Sequence, residues 1–383
     1  MLRPASRSNL TALALAGLLV SGCAGAYRFD DSSPAVSLRP TAVMSLRWQR
    51  RLVQRRFLDY RPQEWAAATL DARGTLYVGS SARRFLAIEA SGRVRWSFPT
   101  GGGISSRPLY VSSRDTVYFG ANDGKLYALD ARTGQLRWSY TTQGTILHPP
   151  AEAAGLLLFT TNEDRVYAID AATGKWRWQY EREAPEGFTI DGHAGVTVHG
   201  GMAYTGFSDG VVAALRVTSG EVVWTRSLGG DNPEKRFLDV DATPVIAGRQ
   251  LVTATYSGGV FALSPENGSV RWHFPVEGAS SVAARGGRLF LAAPRVGLVA
   301  LDLSGRQLWR QALAKGVPSA PVVAGPYVFL TGTEMGLCVA SARSGRLLQV
   351  FDPGYGISAP PTVGQGVVAV LSNEGGFYAL GMQ

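Results

Sequence analysis

The chain of 383 residues is poor in the residues that build metal sites and disulfide frameworks. It has two cysteines, Cys23 and Cys338, and four histidines. No pair of histidines has metal-ligand spacing, and no Cys-x-x-Cys pair is present. Two cysteines are too few for a disulfide-stapled fold. These scarcities argue against a bound metal and against a small disulfide-rich domain.

The motifs of common catalytic chemistry are also missing. The run 101–103 is Gly-Gly-Gly, but it lacks the Lys-Ser/Thr and the helix that complete a phosphate loop, and there is no Gly-x-Ser-x-Gly elbow. Asp130, Asp170 and Asp302 recur at one position of a repeat, which indicates turn chemistry rather than paired acid–base catalysis. Cys338 is predicted to be a small buried hydrophobe. The sequence therefore predicts no catalytic residue, no cofactor and no metal.

Acidic residues are outnumbered by basic ones. Lysine and arginine total 38 against 29 aspartates and glutamates, which gives a formal charge of +9 and a pI of about 9.7. No stripe of lysines interleaved with aromatic residues is present, so nucleic-acid binding is not predicted. The positive charge is interpreted as attraction to anionic surfaces and protein partners.

The strongest positive signal is a repeated hairpin, best seen in residues 126–138 (LYALDARTGQLRW). Its first half alternates as a strand does, Asp-x-x-Thr-Gly predicts a tight turn, and a second strand ends on Trp138. Gly134 fits a turn position that needs a positive φ. Tryptophans at 48, 96, 138, 178, 224, 272 and 309 lie 48, 42, 40, 46, 48 and 37 residues apart. These intervals favour four-stranded propeller blades of roughly 40–50 residues.

Both ends of the repeat region are incomplete. Leu46-Arg47-Trp48 is an outer strand without its hairpin, and the third strand at 376–380 is followed almost at once by the C-terminus. We therefore predict that the N-terminal strand completes the last blade, which removes free sheet edges and fixes the blade count at eight. Outer strands are predicted to end near each tryptophan, or near Gln349 in the blade that lacks one. Inner strands are predicted at 107–111, 243–247, 320–324 and 360–363.

The N-terminus has the order of features of an export signal. Arg3 and Arg7 precede an apolar run of 11 residues from Leu10 to Val20, too short for a spanning helix of about 20. The run ends in Val-Ser-Gly-Cys23, which resembles the lipobox of bacterial lipoproteins; an ordinary secretory signal with a chance cysteine is the alternative. The resemblance implies acylation of Cys23, and Ala24 implies the outer membrane. The predicted division is a signal peptide at 1–22, a lipidated flexible tether at 23–44 and a propeller at 45–383.

Two connections between predicted blades are long, residues 181–192 and 229–241. Both follow an outer strand and lead to the next inner strand, so they are predicted to emerge on the same face of the disc. Long loops on a rigid scaffold are where binding residues concentrate. Tolerated insertions are the alternative interpretation.

The Ala-x-Asp-x-x-Thr-Gly-x-x-x-Trp pattern resembles the tryptophan-docking motif of pyrroloquinoline quinone (PQQ)-type propellers. The resemblance covers nearly all of residues 46–383 and implies an all-β, eight-bladed propeller in which each indole packs between neighbouring blades. It does not specify function, because one fold hosts many activities. Quinoprotein dehydrogenases of this fold are much longer, and many carry adjacent cysteines that this chain lacks.

Length, lipobox and predicted blade number resemble the BamB family of outer-membrane assembly lipoproteins. The closest local match is Asp239-Val-Asp241-Ala-Thr-Pro, which resembles a segment whose two acidic residues lie at the family's surface for the periplasmic POTRA domains of BamA. The resemblance implies partner contact by Asp239 and Asp241. Hydrogen bonding to nearby backbone at the start of a strand is the alternative.

A neighbouring loop in that family carries an apolar-Thr-apolar-Arg-Gly segment that contacts the same partner. Here Phe188, Thr189 and Ile190 match it, but Asp191 replaces the arginine, and Arg236 is a candidate source of the lost charge. Phe188 and Ile190 are predicted to form an apolar hot spot.

The resemblance thus implies a non-enzymatic scaffold on the periplasmic face of the outer membrane. It is lipid-anchored, monomeric within a complex, and bound to BamA and other subunits of the assembly machinery. The alternatives are a propeller that binds another envelope protein or a glycan, and a PQQ-dependent dehydrogenase.

Overall fold

The computed structural model describes residues 43–54, 63–183, 194–229 and 239–383. Within these residues lie 32 strands and one short 3-10 helix, Ser112–Arg114. The strands form eight antiparallel sheets of four strands each. The prediction of an all-β, eight-bladed propeller is therefore confirmed. No helix of the described residues is both long enough and apolar enough to cross a membrane.

The first strand, β1 (Met44–Arg51), belongs to the last blade. Blades one to four follow in chain order, each running from its inner to its outer strand, with these bounds: β2 (Thr69–Leu70), β3 (Leu76–Val78), β4 (Arg84–Ile88), β5 (Val94–Pro99); β6 (Leu109–Val111), β7 (Thr116–Gly120), β8 (Lys125–Asp130), β9 (Leu136–Thr141); β10 (Ala151–Ala153), β11 (Leu156–Thr161), β12 (Arg165–Asp170), β13 (Trp176–Glu181); β14 (Thr197–His199), β15 (Met202–Gly206), β16 (Val211–Arg216), β17 (Val222–Ser227).

Blades five to eight repeat this order, except that blade eight takes its outer strand, β1, from the other end of the chain. Their bounds are β18 (Val245–Ala247), β19 (Gln250–Thr255), β20 (Gly259–Leu263), β21 (Val270–Phe274); β22 (Val282–Arg285), β23 (Arg288–Ala293), β24 (Gly297–Asp302), β25 (Gln307–Gln311); β26 (Val322–Ala324), β27 (Tyr327–Gly332), β28 (Met335–Ser341), β29 (Leu347–Phe351); β30 (Thr362–Gly364), β31 (Val367–Leu371), β32 (Gly376–Met382).

The repeated turn is closed by hydrogen bonds to the aspartate that recurs in the sequence motif. In blade two, the N–H and hydroxyl of Thr133 donate to Asp130 Oδ1 at 2.9 and 3.0 Å. Gly134 follows with φ +73°, a value that costs an L-residue energy but not glycine. Asp170 and Thr173 repeat the arrangement in blade three. Turn chemistry therefore accounts for the recurring aspartates.

Two kinds of predicted strand boundary were displaced by two or three residues. From β5 to β25, each outer strand that has a motif tryptophan carries it at the third position and continues beyond it. In β9, for example, Trp138 is followed by three more paired residues. The inner strands of blades two, five, seven and eight start two residues later than predicted, as β6 does at Leu109. In all four the delay has the same cause, because a proline directly precedes the first paired residue and has no N–H for the ladder.

Each motif tryptophan packs on the turn glycine of the following blade. A Cβ added to Gly134 would lie 2.6 Å from the indole of Trp96, so only glycine fits beneath that ring. The indole N–H of Trp96 donates to the carbonyl of Ala131 at 3.1 Å. Five further indoles of the described residues donate to the next blade in the same way, those of Trp48, Trp178, Trp224, Trp272 and Trp309. The predicted packing of indoles between blades is therefore confirmed.

The apolar core lies between adjacent blades as a series of similar clusters. Between blades one and two, Phe85 stacks on Phe119 with ring centroids 3.8 Å apart. The next cluster joins blades two and three through Leu126 and Phe159, both fully buried. Because each blade buries both of its faces against neighbours, a blade is stable only inside the ring.

The ring closes where the two chain ends meet. Strand β1 pairs antiparallel with β32, from Met44 opposite Met382 to Arg51 opposite Gly376. This confirms the predicted closure. Strand β1 begins at Met44, one residue before the predicted start of the propeller. The remainder of the predicted signal peptide and tether, including Cys23, lies outside the described residues.

Candidate partner-binding face

Strand direction assigns every connection to one face of the disc. The chain enters a blade at its inner strand and leaves from its outer strand, and the strands alternate in direction. Connections between blades and turns between second and third strands therefore lie on one face, and the remaining turns lie on the opposite face. We call the first of these the loop face; the connections between β13 and β14 and between β17 and β18 start and end on it.

Asp239 and Asp241 lie at the base of the second of these connections, and both are buried, with 2% and 7% of their surface exposed. Between them, Val240 packs on Gly206, where an added Cβ would come within 2.2 Å of the valine side chain. The N–H of Val240 donates to Phe207 O at 3.1 Å. The segment is thus inserted into the disc where blades four and five meet.

The burial of these two carboxylates bears on their predicted role. A side chain with so little exposed surface is poorly placed to form a rim ion pair with a partner. Burial instead favours the alternative interpretation, in which the aspartates hold the start of blade five and so position the loop before it. Their contribution to partner binding remains a proposal. The other predicted contact residues, Phe188, Ile190, Asp191 and Arg236, lie outside the described residues.

The other long connection is fixed at its first residue. Arg182 forms an ion pair with Asp209 of blade four at 2.6 Å, and its guanidinium lies 5.9 Å from the centroid of the Phe207 ring. The N–H of Arg182 also donates to Asp164 O at 3.2 Å. The chain therefore leaves blade three from a rigid point above the boundary between blades three and four.

Buried polar side chains link the turns and connections of the loop face, and sequence analysis did not predict them. Asp164 of blade three accepts a hydrogen bond from Ser208 N of blade four at 3.0 Å and another from the Ser208 hydroxyl. Glu64, ahead of blade one, accepts equivalent bonds from Ser81 N, at 3.0 Å, and from its hydroxyl. Charge-assisted bonds of this kind are stronger than neutral ones, so they stiffen the surface that carries the loops.

Three large apolar side chains are exposed on the loop face. They lie in the connections from blade six to blade seven, from blade seven to blade eight and from blade eight to blade one. Trp65 is 48% exposed, Tyr355 is 66% exposed, and Val317 is also exposed. Asn373 joins two of their connections, since its amide donates to Tyr355 O at 3.1 Å and its oxygen accepts from Glu64 N at 3.2 Å. Sequence patterning missed these residues because they belong to connections without strand periodicity.

The described residues contain no group of three or more His, Cys, Asp or Glu side chains placed to hold a metal ion. Cys338, in β28, is buried as a free thiol. Burial raises the pKa of that thiol to about 11, and the nearby charge of Asp352 adds to the effect. On the loop face, the exposed Trp65, Tyr355 and Val317 lie beside buried charge-assisted bonds such as Asp164–Ser208, an arrangement that suits binding of a partner.

Comparison with known proteins decides the family. The family model described as outer membrane protein assembly factor BamB matches residues 89–303, 257–352 and 295–382. This chain belongs to the BamB family. BamB of Escherichia coli (strain K12) is 28% identical to it over 324 residues, which is 81% of this chain and 82% of that protein.

Solved structures agree on the fold. The crystal structure of BamB from Moraxella catarrhalis superimposes with a TM-score of 0.75 at 20% identity, covering 89% of this chain and 100% of that one. A europium-containing methanol dehydrogenase superimposes with a TM-score of 0.71 at 14% identity, covering 88% and 93%. At these identities the likeness is one of fold alone.

Proposed function

We propose that this chain is a non-enzymatic scaffold of the outer-membrane β-barrel assembly machinery. In this proposal a lipid on Cys23 holds it to the periplasmic face of the outer membrane, and its loop face binds the POTRA domains of BamA. The observation that carries the proposal is the BamB family match, which extends across the propeller from residue 89 to residue 382.

The contact we propose has an apolar centre and a charged surround. Phe188 and Ile190 bury their side chains against the partner, because apolar residues at the centre of an interface dominate its affinity. Asp191 and Arg236 contribute charge at the rim, which acts on orientation and association rate more than on affinity. Asp239 and Asp241 act as positioning residues that fix the loop carrying Arg236.

The stiffness of the loop face supports this mechanism. Loops that are fixed at their bases lose less conformational freedom on binding, so more of the contact energy appears as affinity. Arg182 and the Asp164–Ser208 bonds hold one long connection, while Val240 holds the other. Both bases meet blade four at its boundaries with blades three and five, so a single partner domain can contact both loops.

The proposal is tested by retention of purified BamA POTRA domains on the immobilised full-length chain. Ile190→Asp is expected to weaken retention at least tenfold, because it buries a charge at the proposed hot spot. Asp241→Asn is expected to weaken it less, through a displaced loop. Asp71→Asn is the matched control, since Asp71 is also a buried carboxylate but lies on the opposite face, in the turn between β2 and β3.

Circular dichroism must show native folding for each variant before retention is compared. Equal retention of POTRA domains by the wild type, Ile190→Asp and Asp241→Asn would reject this surface. Loss of retention in Asp71→Asn to the same degree would show that the assay reports stability and not contact.

A further inference from the structure

Arg107 stands out among the residues that precede the inner strands. It lies two residues before the start of β6 in blade two. The residues two positions before the other inner strands are all short or cyclic and uncharged: Ala67, Pro149, Gly195, Thr243, Ser280, Ala320 and Pro360. We call these eight positions the inner ring. Arg107 is the one long and charged side chain in it.

The Arg107 side chain extends past a whole blade. Its Nη2 donates to Pro361 O at 3.0 Å, and Pro361 directly precedes β30 of blade eight. Blade one lies between blades two and eight, and its inner strand β2 contacts both β6 and β30. Because inner strands line the axis of a propeller, a side chain that reaches from blade two to blade eight crosses the axial channel in front of blade one.

Within the described part of the chain, no carboxylate pairs with the charge of Arg107. Among the described residues, no aspartate or glutamate forms an ion pair with it, and the bond to Pro361 uses only one of its five N–H donors. Surrounding protein lowers the pKa of this guanidinium, since burial disfavours its charged form. Arg107 is partly buried, and an anion beside it would accept hydrogen bonds from the N–H donors that Pro361 leaves unused.

We propose that Arg107 and the inner ring form a binding site for a carboxylate in the axial channel. The planar guanidinium presents two parallel N–H donors to the two oxygens of a carboxylate. The short side chains of the inner ring leave room beside it. Inner strands begin at the loop face, so the site lies near the mouth of the channel on that face. This inference goes beyond the proposed assembly function and does not depend on it.

A carboxylate fits this site better than a phosphate dianion. The inner ring supplies one positive charge, which a singly charged ligand neutralises, and its other seven members bring no further cation. The carboxylate has two possible sources, a small free acid or the end of a polypeptide chain. The experiment below separates them.

The test is an NMR titration of the full-length protein with 15N-labelled arginine, observing each Nε–Hε resonance. Sodium acetate replaces sodium chloride at constant ionic strength. We expect the Arg107 resonance, assigned by its loss in Arg107→Lys, to shift and saturate. Arg226 is the internal control, because its guanidinium also donates to a backbone carbonyl, from Nε to Gly268 O at 2.9 Å, but it lies on an outer strand. Its resonance is expected to stay in place.

Trialanine and its C-terminal amide identify the source. If trialanine binds at least tenfold more tightly than acetate, and its C-terminal amide does not bind, the site is assigned to the end of a polypeptide chain. If trialanine and acetate bind with equal affinity, the site is assigned to small acids. Arg107→Gln is expected to abolish any acetate-dependent rise in Tm. The proposal is overturned if acetate leaves the Arg107 resonance unmoved, if Arg226 shifts equally, or if inorganic phosphate binds and acetate does not. The titration of the wild-type protein remains a valid test even if the Arg107→Gln variant does not fold.

Discussion

Cys338 illustrates how a residue's environment decides its chemistry. It lies in the third strand of blade seven, where burial raises the pKa of its thiol to about 11 and the negative charge of Asp352 adds to the shift. The thiolate is the reactive form of cysteine. At neutral pH almost none of this residue is thiolate, so its environment suits packing and not nucleophilic chemistry.

We therefore predict slow modification of Cys338 in the folded protein. With Cys23 changed to serine, iodoacetamide at pH 8 should label Cys338 roughly a hundredfold more slowly than the same protein in urea, because the thiolate fraction falls with the raised pKa. The labelling rate of the folded protein should then rise as the pH approaches 11. Mass spectrometry of timed samples measures both rates. Fast, complete labelling at pH 8 without denaturant would contradict the assignment.

At the scale of the structural element, the unit of stability is the contact between one blade's indole and the next blade's turn. Gly134 meets two demands at once, a φ of +73° and a Trp96 ring that leaves no room for a Cβ. Gly366, in the turn between β30 and β31, meets only the first, with φ +70° and no atom within 4 Å of an added Cβ. The two glycines therefore separate backbone strain from packing.

We predict that Gly134→Ala is more destabilising than Gly366→Ala. The left-handed backbone alone costs an alanine about 1 kcal/mol, which both variants share. Overpacking against Trp96 adds about 1–3 kcal/mol to Gly134→Ala. Urea unfolding followed by tryptophan fluorescence gives both values. Equal losses would mean that the indole moves aside freely and does not fix the blade.

At the scale of the whole molecule, the structure explains the missing tryptophan of blade seven. Blade eight has no turn between its third and fourth strands, because its fourth strand is the N-terminal β1. A tryptophan in blade seven would therefore have no turn glycine to pack on. Gln349 takes its place and binds the start of the closing strand, accepting from Val43 N and Met44 N at 2.8 Å and donating to Met44 O at 2.9 Å.

We predict that Gln349→Leu weakens ring closure. It removes three hydrogen bonds, each of which contributes about 1 kcal/mol, so the free energy of unfolding should fall by about 2–3 kcal/mol. Gln307→Leu, on the exposed surface of β25, is the control and should change stability by less than about 0.5 kcal/mol. Hydrogen exchange should show faster exchange of the β1 amides in Gln349→Leu. Unchanged protection of β1 would show that β32 alone holds the strand.

Most of the fold was predictable from sequence because its determinants are local. The Asp-x-x-Thr-Gly turn, the strand alternation and the tryptophan spacing all act within one blade, and they recur often enough to give the number of blades. The candidate site was less predictable. The loops could be assigned to one face from chain order, but the burial of Asp239 and Asp241 depends on how Val240 fits between blades four and five.

The sequence by itself determined the repeated hairpin, the pairing of the two ends and the membership of a propeller class. Only the tertiary structure decided which polar residues are inside, which aromatic residues remain exposed, and which side chain lies across the axis. The reason is that these properties depend on contacts such as Arg107 to Pro361 and Gln349 to Val43, which join distant parts of the chain. Such contacts exist only after the ring has closed, and no local pattern encodes them.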